Sequence, residues 1–165
     1  MGAGHGNRLS TAVGHTLRIT GHRAIVARGW AELAVDGPDV MVVDEVPHQW
    51  LFPRVAAVVH HAGAGTTAAG LRAGVPAIPV PFGYDQPFWA RRLVELGVAP
   101  RALPARRLDA TRLAAAIAAA VTDPARRRTS AAVAKALNGE DGSARVLELI
   151  TDHEAGRLNG QPSHA

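Results

Sequence analysis

The stretch VVHHAGAGTTAAGLRAGVP, residues 58–76, decides the reading of this chain. It passes from a β-rich apolar segment through a glycine-rich turn into an alanine-rich helix that stops at Gly74, the strand–turn–helix order of an α/β unit. Gly63 and Gly65 leave backbone N–H groups open to close approach, and Thr66 or Thr67 is placed to cap the following helix. The positive end of that helix then faces whatever lies beyond the strand's carboxyl end, which makes an anion site. His60 and His61 beside the turn can neutralise a diphosphate by hydrogen bonding without recruiting a metal. By spacing alone an ordinary βα turn fits equally well, because the run lacks the GxGxxG of dinucleotide folds and the lysine of a P-loop.

Outward from this unit, helical and strand-like periodicities alternate, which predicts an α/β domain with a parallel, Rossmann-like sheet. Before it, residues 8–20 read as a helix ending at Gly21, 23–28 (RAIVAR) as a buried strand, 40–44 (VMVVD) as the next and 55–60 as a third. After it, residues 77–80 form a fourth strand among Pro76, Pro79 and Pro81, and Pro87 suits the first turn of a helix that ends at Gly97. The remainder is helical. Asp109 can cap ATRLAAAIAAAV, Asp123 with Pro124 can open ARRRTSAAVAKALN, and Ser143 can cap ARVLELI. The expected organisation is a disordered stretch 1–7, one domain over 8–150 and a polar, frayed tail over 151–165.

Composition narrows the classes. The 165 residues fit one domain with a real core, and no apolar run approaches the ~20 residues of a membrane span. The first residues, MGAGHGNRLS, lack the apolar core of a signal peptide, so a cytoplasmic protein is expected. The absence of cysteine excludes disulfides and thiolate chemistry. A net charge of +4 invites a nucleic-acid reading. The charge is scattered, however, and Lys135 is the single lysine among eighteen basic residues, a compositional bias rather than a basic patch. The densest cluster, Arg126, Arg127 and Arg128, reads as a solvated helix face, and few aromatics are available to stack on bases. Neither a nucleic-acid partner nor a membrane span is expected.

A second constellation follows in PVPFGYDQPFW, residues 79–89. Asp85 and Gln86 lie on the loop after the fourth strand, and parallel strands bring successive βα loops to one edge of the sheet. A carboxylate and an amide together suit the mixed donors and acceptors of a hexose. Asp85 is equally placed to cap the helix beginning near Pro87.

The run VPHQWLFPRVAAVVHHAGAGTTAAGLRAGVPAIPVPFGYDQ, residues 46–86, resembles the donor-binding signature of inverting GT-B glycosyltransferases, closest to the sterol glucosyltransferase and glycopeptide-antibiotic branch. The HxGxGT turn, the GVP step and the terminal DQ occur in the family's order and spacing. Weaker similarity extends through RAIVARGWAEL and EDGSARVLELI, so the resemblance covers most of the chain to residue 150.

The resemblance implies a nucleotide-sugar-binding domain, the C-terminal half of a GT-B fold, that uses a UDP- or TDP-hexose as substrate and needs neither cofactor nor metal. His61 matches the histidine that contacts the donor diphosphate; Gly63, Gly65 and Thr66 match the turn that holds phosphate oxygens. Asp85 and Gln86 match the pair that hydrogen-bonds the transferred sugar, and Val46 the position whose backbone approaches the base. Trp30 and His48 are looser candidates. Ala69 stands where many members carry a ribose-binding glutamate, which leaves UDP against TDP open.

The family's catalytic base is a histidine of the N-terminal, acceptor-binding half, and His5, His15 and His22 lack its motif context. No catalytic residue is therefore assigned to this chain. The resemblance also implies that the first strand of the domain, central in the order 3-2-1-4-5, is missing here, so that RAIVAR and VAAVVH either pair directly or leave two edges open. Two classes of function remain. One is part of a hexosyltransferase acting on a lipophilic or natural-product hydroxyl, completed by a separately encoded acceptor domain or by self-association. The other is a non-catalytic helper or degenerate truncated protein.

Overall fold

The first helix, α1 (Ala3–Thr20), stops where Gly21 takes a φ of 63°, a left-handed turn that glycine makes without a Cβ clash. The computed structural model describes residues 3–154, except for the side chains of residues 3–5 and 30. α1 begins at Ala3 rather than at residue 8, so residues 3–7, expected to be disordered, form its first turns. It packs along α5 (Ala110–Thr122). Thr16 ties the two together, its hydroxyl donating to the carbonyls of Ala12 at 2.8 Å and Ala110 at 3.2 Å.

The strands form two separate parallel pairs. β1 (Ala24–Ala27) pairs with β2 (Val40–Val43), and β3 (Val58–His60) pairs with β4 (Ala77–Pro79). No ladder joins β1 to β3 among the described residues. RAIVAR and VAAVVH therefore do not pair directly with each other. β3 starts at Val58 rather than at residue 55, because a 3-10 turn, Phe52–Arg54, runs up to Val55. The β3–β4 register ends at His60 opposite Pro79, which has no N–H for the ladder.

Helices cover both faces of β4, whereas Val59 of β3 stays 43% exposed. On one side Ile78 and Val80 meet Leu103, Leu113, Ala116 and Ala120, with Val13 of α1 packed against them. On the other, Ala77 meets Leu93, Val98 and Ala99, from α4 (Gln86–Glu95) and the segment after it, with Val133 of α6 (Pro124–Asn138) alongside. The outer edge of β4 is also closed. Ala77 N–H donates to Val98, and the Leu103 and Ala105 N–H groups donate to Pro79 and Pro81. The first pair is barer. RAIVAR reads as a buried strand, but only Val26 is buried there; Ile25 is 43% exposed and its cross-strand partner Met41 62%. Apolar composition does not bury a strand unless another element covers it.

The helix caps divide in the same manner. Asp109 accepts from Arg112 N–H at 2.8 Å and Asp123 from Ala125 N–H at 2.9 Å, as their positions predict. α7 (Gly142–Glu154) is capped by Asp141, which accepts from Ala144 N–H at 2.9 Å, rather than by Ser143, and it extends beyond residue 150. The rest of the expected tail, residues 155–165, lies outside the described residues. Arg126 is not solvated: its guanidinium donates to the Gly97 carbonyl at 2.9 Å and ties α6 to the end of α4.

Candidate functional site

The two loops singled out in the sequence come together because β3 and β4 are parallel neighbours. Both chains leave the sheet at the same edge, one at His60 and the other at Pro79, and the Val80 N–H donates to the His60 carbonyl at 2.8 Å. Between His60 and α3 (Ala64–Ala73) the turn is short and sharply bent. Ala62 takes a φ of 65° and is fully buried, a left-handed conformation that is uncommon for a residue with a Cβ.

Gly63 is the N-cap of α3, with an extended backbone and no side-chain cap. The helix therefore starts earlier than the threonines suggest, and neither of them caps it. Thr66 is half-buried within the first turn, and the Thr67 N–H donates to the Gly63 carbonyl at 2.9 Å. The Thr67 hydroxyl is buried with no partner among the described residues. The His61 ring lies directly over Gly63, so that a Cβ at Gly63 would collide with its Nε2. Gly65 is exposed, with open space where a Cβ would stand. The structure thus sets a half-buried imidazole against a helix N-terminus whose first N–H groups have no intrahelical acceptor, an arrangement suited to a phosphate.

His60 differs from His61. It is 9% exposed, and its Nδ1 accepts the Ala62 N–H at 3.1 Å, which places the ring proton on Nε2. Burial, with His61 and His48 nearby, pushes the imidazole down to about 4. A neutral buried ring cannot supply the charge the sequence reading shares between the two histidines.

On the second loop, Tyr84 is 97% exposed with a φ of 56°, and Asp85 and Gln86 follow it at the start of α4. Asp85 occupies the N-cap position but makes no cap bond; its Oδ2 accepts from Trp89 Nε1 at 2.9 Å. The Gln86 Oε1 accepts from the Phe82 N–H at 2.8 Å and the Gly83 N–H at 3.4 Å, which fixes the loop. Asp85 Oδ1 and the Gln86 amide N–H groups make no hydrogen bond among the described residues. Trp89 was not singled out as a site residue, although its spacing of four from Asp85 across a helix start is a legible signal.

The remaining candidates precede β3 in the chain. Val46, after β2, packs on the cluster of Leu51, Phe52 and Val75 beneath α3. His48, in α2 (His48–Leu51), stacks on Phe52 at 4.5 Å between ring centroids. The Trp30 side chain lies outside the described residues. Among the described residues no helix is long and apolar enough to cross a membrane.

Comparison with known proteins matches this architecture. Residues 23–151 match the model of the erythromycin biosynthesis protein CIII-like C-terminal domain. The chain is 42% identical over 142 residues to a sterol 3-beta-glucosyltransferase of Arabidopsis thaliana, covering 84% of this chain and 23% of that one. It is 45% identical over 139 residues to the vancomycin aglycone glucosyltransferase of Amycolatopsis orientalis, covering 82% of this chain and 33% of that one. Among solved structures, the glycosyltransferase VinC in complex with DTDP superposes with a TM-score of 0.74 at 28% identity, covering 89% of this chain and 38% of that one. The chain therefore spans a quarter to a third of the lengths of these two curated relatives. On a matched model that covers most of its residues, the chain belongs to the erythromycin biosynthesis protein CIII-like C-terminal domain family, the C-terminal half of GT-B glycosyltransferases.

Proposed function

We propose that this domain binds a nucleoside diphosphate hexose, UDP- or TDP-linked, across the loops that leave β3 and β4. The observation that carries the reading is the parallel β3–β4 pairing, which sets His61 and the α3 N-terminus beside Asp85 and Gln86. His61, the N–H groups at Gly63 and Gly65, and Thr66 hold the diphosphate. Asp85 Oδ1 and the Gln86 amide read the sugar hydroxyls, and the Val46 backbone borders the base. Neither metal nor cofactor takes part.

The transfer is a direct displacement. An acceptor hydroxyl oxygen forms its bond to the anomeric carbon while the bond from that carbon to the diphosphate breaks, and the diphosphate leaves with the electron pair. The hydroxyl proton goes to a base from the acceptor-binding half of the enzyme. The acceptor is a lipophilic or natural-product alcohol, as the names of the sterol and vancomycin relatives suggest. A cytoplasmic setting belongs to the same reading.

Calorimetry in chelator tests it. UDP or TDP and the corresponding hexose conjugates bind the wild-type chain. His61→Ala weakens all of them by about tenfold or more, through loss of a phosphate contact. Asp85→Ala weakens only the sugar-bearing ligands. Strict metal dependence, or equal losses for free nucleotide at both positions, sinks this assignment.

A further inference from the structure

The anion turn is held by a residue that does not itself face the ligand. At Ala62 the chain bends from β3 into α3 with a φ of 65°, and the side chain, 0% exposed, is directed into the protein. His61, the preceding residue, is half-buried with its ring over Gly63. Successive side chains thus point to opposite sides, and the left-handed step at Ala62 separates them. An alanine has no intrinsic preference for that step, so surrounding structure has to impose it.

A hydrogen bond spans that step. The Ala62 N–H donates to His60 Nδ1 at 3.1 Å inside the protein, closing a ring two residues wide at the end of β3. We propose that His60 is a positioning residue, whose Nδ1 holds Ala62 in its left-handed conformation and thereby aims His61 and the first N–H groups of α3 at the ligand. The assignment rests on the donor-site reading above and extends it to a residue buried behind the site. Burial keeps the imidazole neutral, so Nδ1 keeps its lone pair for the Ala62 N–H across the ordinary pH range. The Nε2 N–H, buried without a partner among the described residues, is the price of placing a polar ring there. A simple space-filling role would favour an apolar side chain instead.

Four variants of the full chain, His60→Leu, His60→Asn, Ala62→Gly and the His60→Leu/Ala62→Gly double variant, separate these possibilities by UDP calorimetry and thermal melting. His60→Leu fills the space without an acceptor and is expected to weaken UDP by about tenfold. His60→Asn, whose Oδ1 can accept the same N–H, stays within about threefold of wild type. Ala62→Gly makes the left-handed step intrinsically accessible, so in that background His60→Leu costs much less, in both affinity and melting temperature. Additive losses in the double variant, or an Asn variant as weak as the Leu variant, overturn the proposal; a direct phosphate contact from His60 gives that pattern. If the wild-type chain binds neither UDP nor TDP, the donor reading fails, whereas the non-additive melting temperatures still decide the role of His60; if it binds only TDP, the same comparison is made with TDP. Should the Leu variant not fold, the Asn variant alone and within Ala62→Gly carries the same comparison.

Discussion

β4 and β1, one strand from each parallel pair of this domain, are both short and apolar and have opposite fates. β4, AIP, is buried at every position between helices on both faces, and the segment after α4 closes its outer edge. β1, AIVA, buries only Val26, and Ile25 and Met41 face outward together. A strand's composition states that it can be buried; the covering helices state whether it is. The β3–β4 half is also the half that carries the candidate site, so that site stands on the better buried part of the fold.

The sharpest way to break this contrast is to truncate one side chain in each pair. Ile78→Ala, at 0% exposure, is expected to cost about 2–5 kcal/mol in urea denaturation, and Ile25→Ala less than about 1 kcal/mol. Equal losses would mean that β1 is as well covered in solution as β4.

Acid provides a second probe of the buried half. His60 is lowered from 6.5 to about 4, chiefly by burial and then by His61 and His48, so the unfolded chain binds a proton that the folded one refuses. The contribution is intact above pH 6.5 and is lost as pH falls toward 4, on the order of 3 kcal/mol by the usual conversion. Denaturation midpoints measured from pH 7 to pH 4 should fall steeply in the wild type and less steeply in His60→Asn. Parallel profiles would show that the ring is accessible to water.

The smallest expected effect concerns the barer half. With Ile25 and Met41 exposed side by side next to an open strand edge, the chain should associate at high concentration. Met41→Lys should reduce association by light scattering while changing stability by no more than about 0.5 kcal/mol. Unchanged association would place the contact elsewhere, for instance on the exposed Val146, Leu147 and Ile150 of α7.

Features made by contacts a few residues apart were legible without the structure. The stops at Gly21, Gly74 and Gly97, each with a left-handed φ, belong to this group, as do the caps at Asp109 and Asp123, whose bonds span two or three residues. The loop pair carrying His61 and Asp85 was legible too, since a strand–turn–helix repeat places both loops at one edge once the strands are parallel neighbours. Where several local partners compete, the reading fails. Asp141 rather than Ser143 caps α7, and Gly63 rather than a threonine begins α3, because the chain's path into each helix selects among candidates one or two residues apart.

By itself, then, the sequence determined the glycine stops at 21, 74 and 97, the caps at Asp109 and Asp123, the α/β class and the motif that places the chain in its glycosyltransferase family. Only the tertiary structure decided which histidine is buried and that Arg126 binds Gly97. It also decided that the sheet is split into two pairs. The physical reason is range. A cap is satisfied within a turn of helix, whereas burial and open edges depend on elements as distant as Thr16 and Ala110, 94 residues apart, whose meeting no local pattern encodes.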